Sequence, residues 1–348
     1  MHSLVTGSSG LLGGCLVERL RARGASVRLM DLEAPRYAQG DAELVIADAS
    51  DETAVVEAAR GCDVIYHLAA AQRMKPQFSG WSEEQIFRRN LAAARHVLTA
   101  AERGGVRKVV FTSSSGIYGV PRTLPCAEDH PPAPLGEYGR SKLEAERLCR
   151  EAIDRGLDVT VLRPMSLFGP GMSGIFVMLF EWIRKGQPVF MLGDGRNRVQ
   201  ASSAWDVADA CLRAAGSPSA RGGFFNVASD PDTVPTVRQE VEALVAHAGT
   251  GSRIVPIPAS LLRSAARTLG LFGLSPIVRE HYVLADRDFI LDIRAAKQAL
   301  GWEPRYDNER MLTEAYDWYV TADASYRPAS HPVLRVLDAV TSLRPHAR

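Results

Sequence analysis

Short apolar runs alternate with amphipathic stretches through the first half of the chain. "HSLVT" (2–6) precedes a helical pattern from about Leu11 to Arg23, and "SVRLMD" (26–31) follows. "AELVIAD" (42–48) leads into "DETAVVEAARG", and "CDVIYHLAA" (62–70) precedes a long helical pattern at 83–103. "RKVVFTSSS" (107–115) passes through a proline-rich loop to a helix at 138–155, and "LDVTVLRP" (157–164) closes the series. Runs that are apolar on both faces, separated by amphipathic helices, predict a parallel sheet covered on both sides. Right-handed crossovers make that an α/β, doubly wound arrangement. After Pro164 the rhythm changes: Gly169, Pro170, Gly171 and Gly174 mark a loop, and "GGFFNVAS" (222–229) predicts one more strand.

The domain boundaries follow from this change. Residues 1–164, with a returning segment at about 200–230, form the sheet domain, and 165–199 with 231–320 form a smaller C-terminal α+β substrate lobe. Residues 321–348 are an appendage, a surface element or an oligomer contact. "GIFVMLFEWIRKGQPVFML" is interrupted by Glu181, Arg184, Lys185 and Pro188, so it predicts a core helix and a strand and not a membrane span.

Composition narrows the function. Lys plus Arg number 41 against 40 Asp plus Glu, which gives no reason to expect nucleic acid or an anionic membrane as partner. The five cysteines are scattered and never form a CxxC, so neither zinc nor a disulfide framework is expected and a reducing cytoplasm is. The N-terminus carries no basic and apolar leader pattern, in keeping with a cytoplasmic location.

"TGSSGLLGG" (6–14) sits between the first strand and first helix and places Gly7, Gly10 and Gly13 at GxxGxxG spacing. A tight turn, close backbone approach to a pyrophosphate and a helix N-terminus facing it make this a dinucleotide-binding signal. Asp31 ends the second strand, where a carboxylate accepts from both ribose hydroxyls and repels a 2′-phosphate. NAD is favoured over NADP, although Arg28 and Arg36 are nearby. Asp48, with Ala49 beside it, ends the third strand, to meet adenine or to cap a helix. "FTSSSGIYG" (111–119) puts Thr112 and three serines past the fifth strand, at the ligand-binding edge of such a sheet. About two dozen residues on, Tyr138 and Lys142 share one helix face.

In this order and spacing, "TGSSGLLG", "YHLAA", "FTSSSGIYG", "YGRSK" and "LRPMSLFGPG" resemble the extended short-chain dehydrogenase/reductases, the NAD-dependent epimerase/dehydratase family. "GDGRNR", "WDVADA", "FNVAS" and "LGWEPRY" carry the likeness to about residue 320. The resemblance implies a Rossmann-type domain with Ser9, Leu11 and Leu12 completing the phosphate loop and Leu68, Ala69 and Ala70 passing under the cofactor. It implies Asn90 near the active site and Pro164 beside the nicotinamide. Tyr138 would be the general acid-base, and Lys142 would lower the phenol's pKa and hold the ribose. Ser114 would bond the reacting oxygen, with Ser113 and Ser115 as one-residue alternatives. The resemblance also implies a homodimer through the helices at 83–103 and 138–155.

Departures from the family pattern shape the activity. Ser115 and Gly116 stand where sugar-nucleotide dehydratases resemble one another in carrying carboxylates, which disfavours dehydration. Oxidation or reduction at a carbinol remains, once or reversibly. A nucleotide-sugar 4-epimerase is the first expectation, with a nucleotide-sugar substrate. A dehydrogenase or reductase of a non-nucleotide alcohol is the second, because Ser166 stands where UDP-sugar enzymes resemble one another in carrying an Asn. A non-catalytic NAD sensor is a third, disfavoured by the intact Tyr138–Lys142 pair. Ser115, Ser166, Arg198 and Arg287 are the candidate substrate contacts, the two arginines for a diphosphate.

Overall fold

A computed structural model describes residues 1–72, 80–172, 175–258, 260, 283–284 and 286–322. The appendage past 322 and most of 259–285 lie outside the described residues. The alternating pattern folds as its periodicity predicts. Strands β1 (His2–Thr6), β2 (Ser26–Asp31), β3 (Glu43–Ile46), β4 (Val64–His67), β5 (Lys108–Thr112) and β6 (Val159–Pro164) are joined by α1 (Leu11–Arg21), α2 (Glu52–Ala59), α3 (Glu83–Gly104) and α4 (Glu137–Asp154). β7 (Leu167–Phe168), α5 (Ile175–Arg184), β8 (Val189–Leu192), β9 (Ser202–Ser203), α6 (Ala204–Gly216), β10 (Phe224–Val227), α7 (Val237–Ala248), β11 (Ile254–Ile257), α8 (Arg294–Leu300) and α9 (Asn308–Thr321) follow.

Among the described residues, seven strands form one parallel sheet in the order β10-β6-β5-β4-β1-β2-β3. The chain starts in the middle at β1, winds outward to β3, then restarts at β4 on the other side. That reversal leaves a crevice at the carboxyl ends of β1 and β4, where ligands of such sheets bind. One face packs against α1 and α6 through Leu16, Leu20, Val207 and Cys211. The other packs against α2, α3 and α4 through Val55, Val97, Ala145 and Cys149. Helix ends are specified locally: α3 opens on a Ser82/Gln85 capping box and stops at Gly105 in the left-handed conformation.

A separate core gathers Phe168, Phe180, Ile183, Leu244, Leu312 and Tyr316 from β7, α5, α7 and α9. It stands beside the two-stranded β8–β11 sheet. Among the described residues no helix is long and apolar enough to cross a membrane.

Candidate active site

One cleft of about 2210 Å³ runs from the carboxyl ends of β1 and β2, past β5, to α5, β8, α7 and α9. A pocket for one small ligand typically spans roughly 300–1,000 Å³, so this one has room for two molecules end to end. Its first half is built by the glycine turn. Gly7 has φ of 74°, and a Cβ there would lie 2.6 Å from the Ala69 amide nitrogen. At Gly13 a Cβ would lie 2.3 Å from the Gly7 carbonyl oxygen. Both contacts are to backbone, so only glycine lets α1 begin this close to the strand ends. Gly10 caps α1 without a side-chain hydrogen bond, and the first turn holds no acid. The helix end therefore presents uncompensated positive potential to the cleft. The Asp31 carboxylate accepts from the Ser9 amide at 2.8 Å and the Leu32 amide at 2.7 Å, which fixes it at the mouth. This cradle and this acid fit a dinucleotide.

Gly7, Ser9, Gly10, Leu11, Leu12, Gly13, Asp31, Asp48, Ala49, Leu68, Ala69, Ala70, Asn90, Thr112 and Pro164 all line the cleft. Some of them are already engaged within the chain. Asp48 pairs with Arg89 and accepts from the Ser50 amide at 2.8 Å. Buried Asn90 clips Ala71, accepting its amide at 2.8 Å and donating to its carbonyl at 3.1 Å and to Ser141 at 3.1 Å. It holds the Leu68–Ala71 segment against α4. Arg28 pairs with Glu43 at 2.7 Å outside the cleft, whereas Arg36 lines it.

Tyr138 and Lys142 lie on the first turns of α4 and face the end of β5. Lys142 is buried, donates to the Thr112 carbonyl at 2.7 Å, and sits 5.9 Å from the centroid of the Tyr138 ring. The Tyr138 hydroxyl is hydrogen-bonded by the Ser114 and Gln72 side chains. Of the three adjacent serines, Ser114 is thus the one that meets the phenol, with its Oγ also accepting the Gly116 amide at 3.0 Å. Burial holds the phenol above its ordinary value, and the bonds from Gln72 and Ser114 only partly oppose this. In the chain alone, loss of water around the phenolate outweighs the stabilising contacts. Beneath the pair, His67 bonds Thr6 at 2.8 Å, and burial first and Lys142 second push its pKa down to about 3. It is a neutral packing group.

The second half is walled by Met165, Phe168, Met172, Phe176, Leu179, Trp182, Phe190, Met191 and Trp318. Ser115 and Ser166 line the cleft, but Arg198 and Arg287 do not. The segment 197–199 is extended: Val199 bridges Phe289, Arg198 bridges Thr236, and alternation turns Asn197 and Val199 inward and Arg198 to solvent. Arg287 lies in an exposed turn beside Asp286, its side chain 63% accessible. Among the described residues the cations that line the cleft are Arg21, Arg36, Arg89 and Lys142, all in its first half. Gln72, Glu240 and Asn308 were not legible as site residues. No motif surrounds Gln72, and Glu240 and Asn308 sit in ordinary helix-start patterns.

A profile of the NAD dependent epimerase/dehydratase family matches residues 3–228. The chain belongs to this family. As in the family, its cofactor is NAD, and three related structures have been solved with NAD bound. The chain is 32% identical over 255 residues to the UDP-glucose 4-epimerase of Mycolicibacterium smegmatis, covering 67% of this chain and 79% of that one. It is 28% identical over 342 residues to a 3 beta-hydroxysteroid dehydrogenase/Delta 5-->4-isomerase of Mycobacterium tuberculosis, covering 91% and 90%. The UDP-glucose 4-epimerase of Thermotoga maritima, solved with UDP-glucose, superposes with a TM-score of 0.75 at 25% identity, over 92% of this chain and 99% of that one.

Proposed function

We propose that this family member is an NAD-dependent oxidoreductase that interconverts a secondary carbinol and its ketone on a largely apolar skeleton. The apolar wall of the second half of the cleft carries this assignment, from Met165 and Phe168 through Trp182 and Phe190 to Trp318. A diphosphate needs cationic donors, and Arg198 and Arg287 point away from that half. The steroid dehydrogenase relative supports the same substrate character.

NAD supplies the acceptor or donor of a hydride at the carbinol carbon. Tyr138 takes the hydroxyl proton in oxidation and returns it in reduction. Ser114, bonded to the Tyr138 hydroxyl, holds the reacting oxygen beside it. Lys142, fixed by Thr112, keeps a positive charge near the phenol and faces the cofactor half. Gln72 adds a second hydrogen bond to the phenol. Burial holds the phenol above its ordinary value, so Tyr138 carries its proton in the chain alone.

The first expectation from the sequence, a nucleotide-sugar 4-epimerase, keeps support from the UDP-glucose 4-epimerase relatives. Absorbance of NADH during turnover separates the two. Stoichiometric NADH consumption with apolar ketones, together with no UDP binding by calorimetry, is the expected result. Turnover of UDP-hexoses without net NADH would refute it. A cytoplasmic homodimer through α3 and α4 belongs to the same proposal, and sedimentation equilibrium measures the association.

A further inference from the structure

The apolar half of the cleft contains polar side chains that the Tyr138 chemistry does not use. Gln200 is engaged at both ends, donating to the Ser229 carbonyl at 2.6 Å and accepting the Leu291 amide. Asn308 is engaged at both ends too. Its Nδ2 donates to the Val199 carbonyl at 2.8 Å and to Glu240 Oε1 at 2.6 Å, and its Oδ1 accepts from the Ala201 amide at 3.2 Å and Ser229 Oγ at 2.7 Å. Asn308 is therefore a rigid seat. Glu240 rests on it by one oxygen only, and its Oε2 has no hydrogen bond among the described residues.

A second acceptor lies on the adjoining segment. The Val237 amide, one turn before Glu240, donates to the Asn197 carbonyl at 2.9 Å. Asn197 lines the cleft at 9% exposure, donates to the Arg287 carbonyl at 3.2 Å, and leaves its Oδ1 without a partner. Val237, Val241 and Leu312 line the same cleft. An unpaired buried acceptor such as Asn197 Oδ1 is unfavourable in the chain alone. A ligand that brings a hydrogen-bond donor here relieves that penalty and pairs the remaining Glu240 oxygen.

We infer that Glu240, seated on Asn308, binds a hydroxyl on the substrate that is separate from the reacting carbinol, with Asn197 as its neighbouring acceptor. This rests on the apolar-carbinol assignment and adds a specificity determinant to it. Burial pushes the Glu240 carboxyl up to about 7, opposed by Asn308. The side chain therefore tolerates the apolar wall near neutrality while still offering an acceptor.

The test uses the NAD-loaded protein and secondary alkanols of graded length, each with and without a terminal hydroxyl. Fluorescence of Trp182 and Trp318, which line the cleft, reports binding. At one matching length the wild type is expected to bind the diol roughly 10-fold tighter than the mono-ol, the size of one buried hydrogen bond. Glu240→Leu is expected to abolish that preference. Glu240→Gln, the near-isosteric variant that protects against a folding failure, is expected to keep part of it, since a hydroxyl can accept from the new amide. Two results overturn the inference while leaving the carbinol assignment standing: mono-ols bind but no diol is preferred, or the preference survives in Glu240→Leu. Failure of the wild type to bind any mono-ol counts against the assignment and this inference together.

Discussion

Replacing Glu146 by Leu breaks an ion pair buried between α4 and β6. Arg163 and Glu146 have side-chain exposures of 3% and 2%. The guanidinium grips the carboxylate with two bonds of 2.8 and 2.7 Å, and its Nη1 also donates to the Tyr118 hydroxyl at 2.7 Å and the Glu128 carbonyl at 2.8 Å. Burial alone disfavours the Arg163 charge, yet Glu146 and Tyr118 hold its pKa above the ordinary value. Removing Glu146 takes away its main support, yet a guanidinium does not lose its proton inside a protein, so Arg163 remains a buried charge. Two charge-assisted bonds at roughly 1.5–3 kcal/mol each, bounded by the roughly 3–5 kcal/mol seen on orphaning a buried charge, give an expected loss of about 4 kcal/mol.

Urea unfolding followed by circular dichroism measures it. The Glu146→Leu/Arg163→Met double variant is expected to recover most of the loss, because no buried charge remains and Tyr118 keeps its 2.8 Å bond to Asn226. A Glu146→Leu variant within about 1 kcal/mol of wild type, or a double variant as unstable as the sum of the singles, would refute the reasoning. The stake is functional as well, since α4 also carries Tyr138 and Lys142.

Tyr138→Phe is expected to lower kcat by roughly 10²–10⁴-fold with NAD affinity retained, measured by steady-state kinetics and calorimetry; an unchanged kcat would remove Tyr138 from the proton transfer. Gly13→Ala places a methyl 2.3 Å from the Gly7 carbonyl, and NAD titration is expected to show at least ~10-fold weaker binding. Glu240 also makes stability depend on pH. Its carboxyl rises from 4.5 to about 7 on folding, so the folded chain retains a proton that the unfolded chain releases. That stabilisation is full below pH 4.5 and is lost as pH rises through about 7. It amounts to at most about 3 kcal/mol. Urea midpoints at pH 5 and pH 8 are expected to differ less in Glu240→Gln than in wild type, and equal differences would contradict the shift.

The central strands and helices were legible because each is specified over a few neighbouring residues. β3 is an instructive exception. The apolar run predicts it to Asp48, but pairing with β2 stops at Ile46, and the Asp48 carboxylate is taken up by Ser50 and Arg89. Arg198 stands outside the cleft lining because of how distant segments pair. Motif likeness put Arg198 at a diphosphate, whereas the alternation of an extended segment, set by its bridges to Thr236 and Phe289, turned that side chain outward.

Local order alone determined the glycine turn, the acid at the end of β2, and Tyr138 and Lys142 on one helix face, since turn geometry and helical periodicity act within one or two turns of chain. Tertiary structure decided which serine meets the phenol, that burial raises its pKa, and that Glu240 finds Asn308 across 68 residues. Desolvation and contacts between distant segments depend on how the elements pack, and no short stretch of sequence encodes that packing.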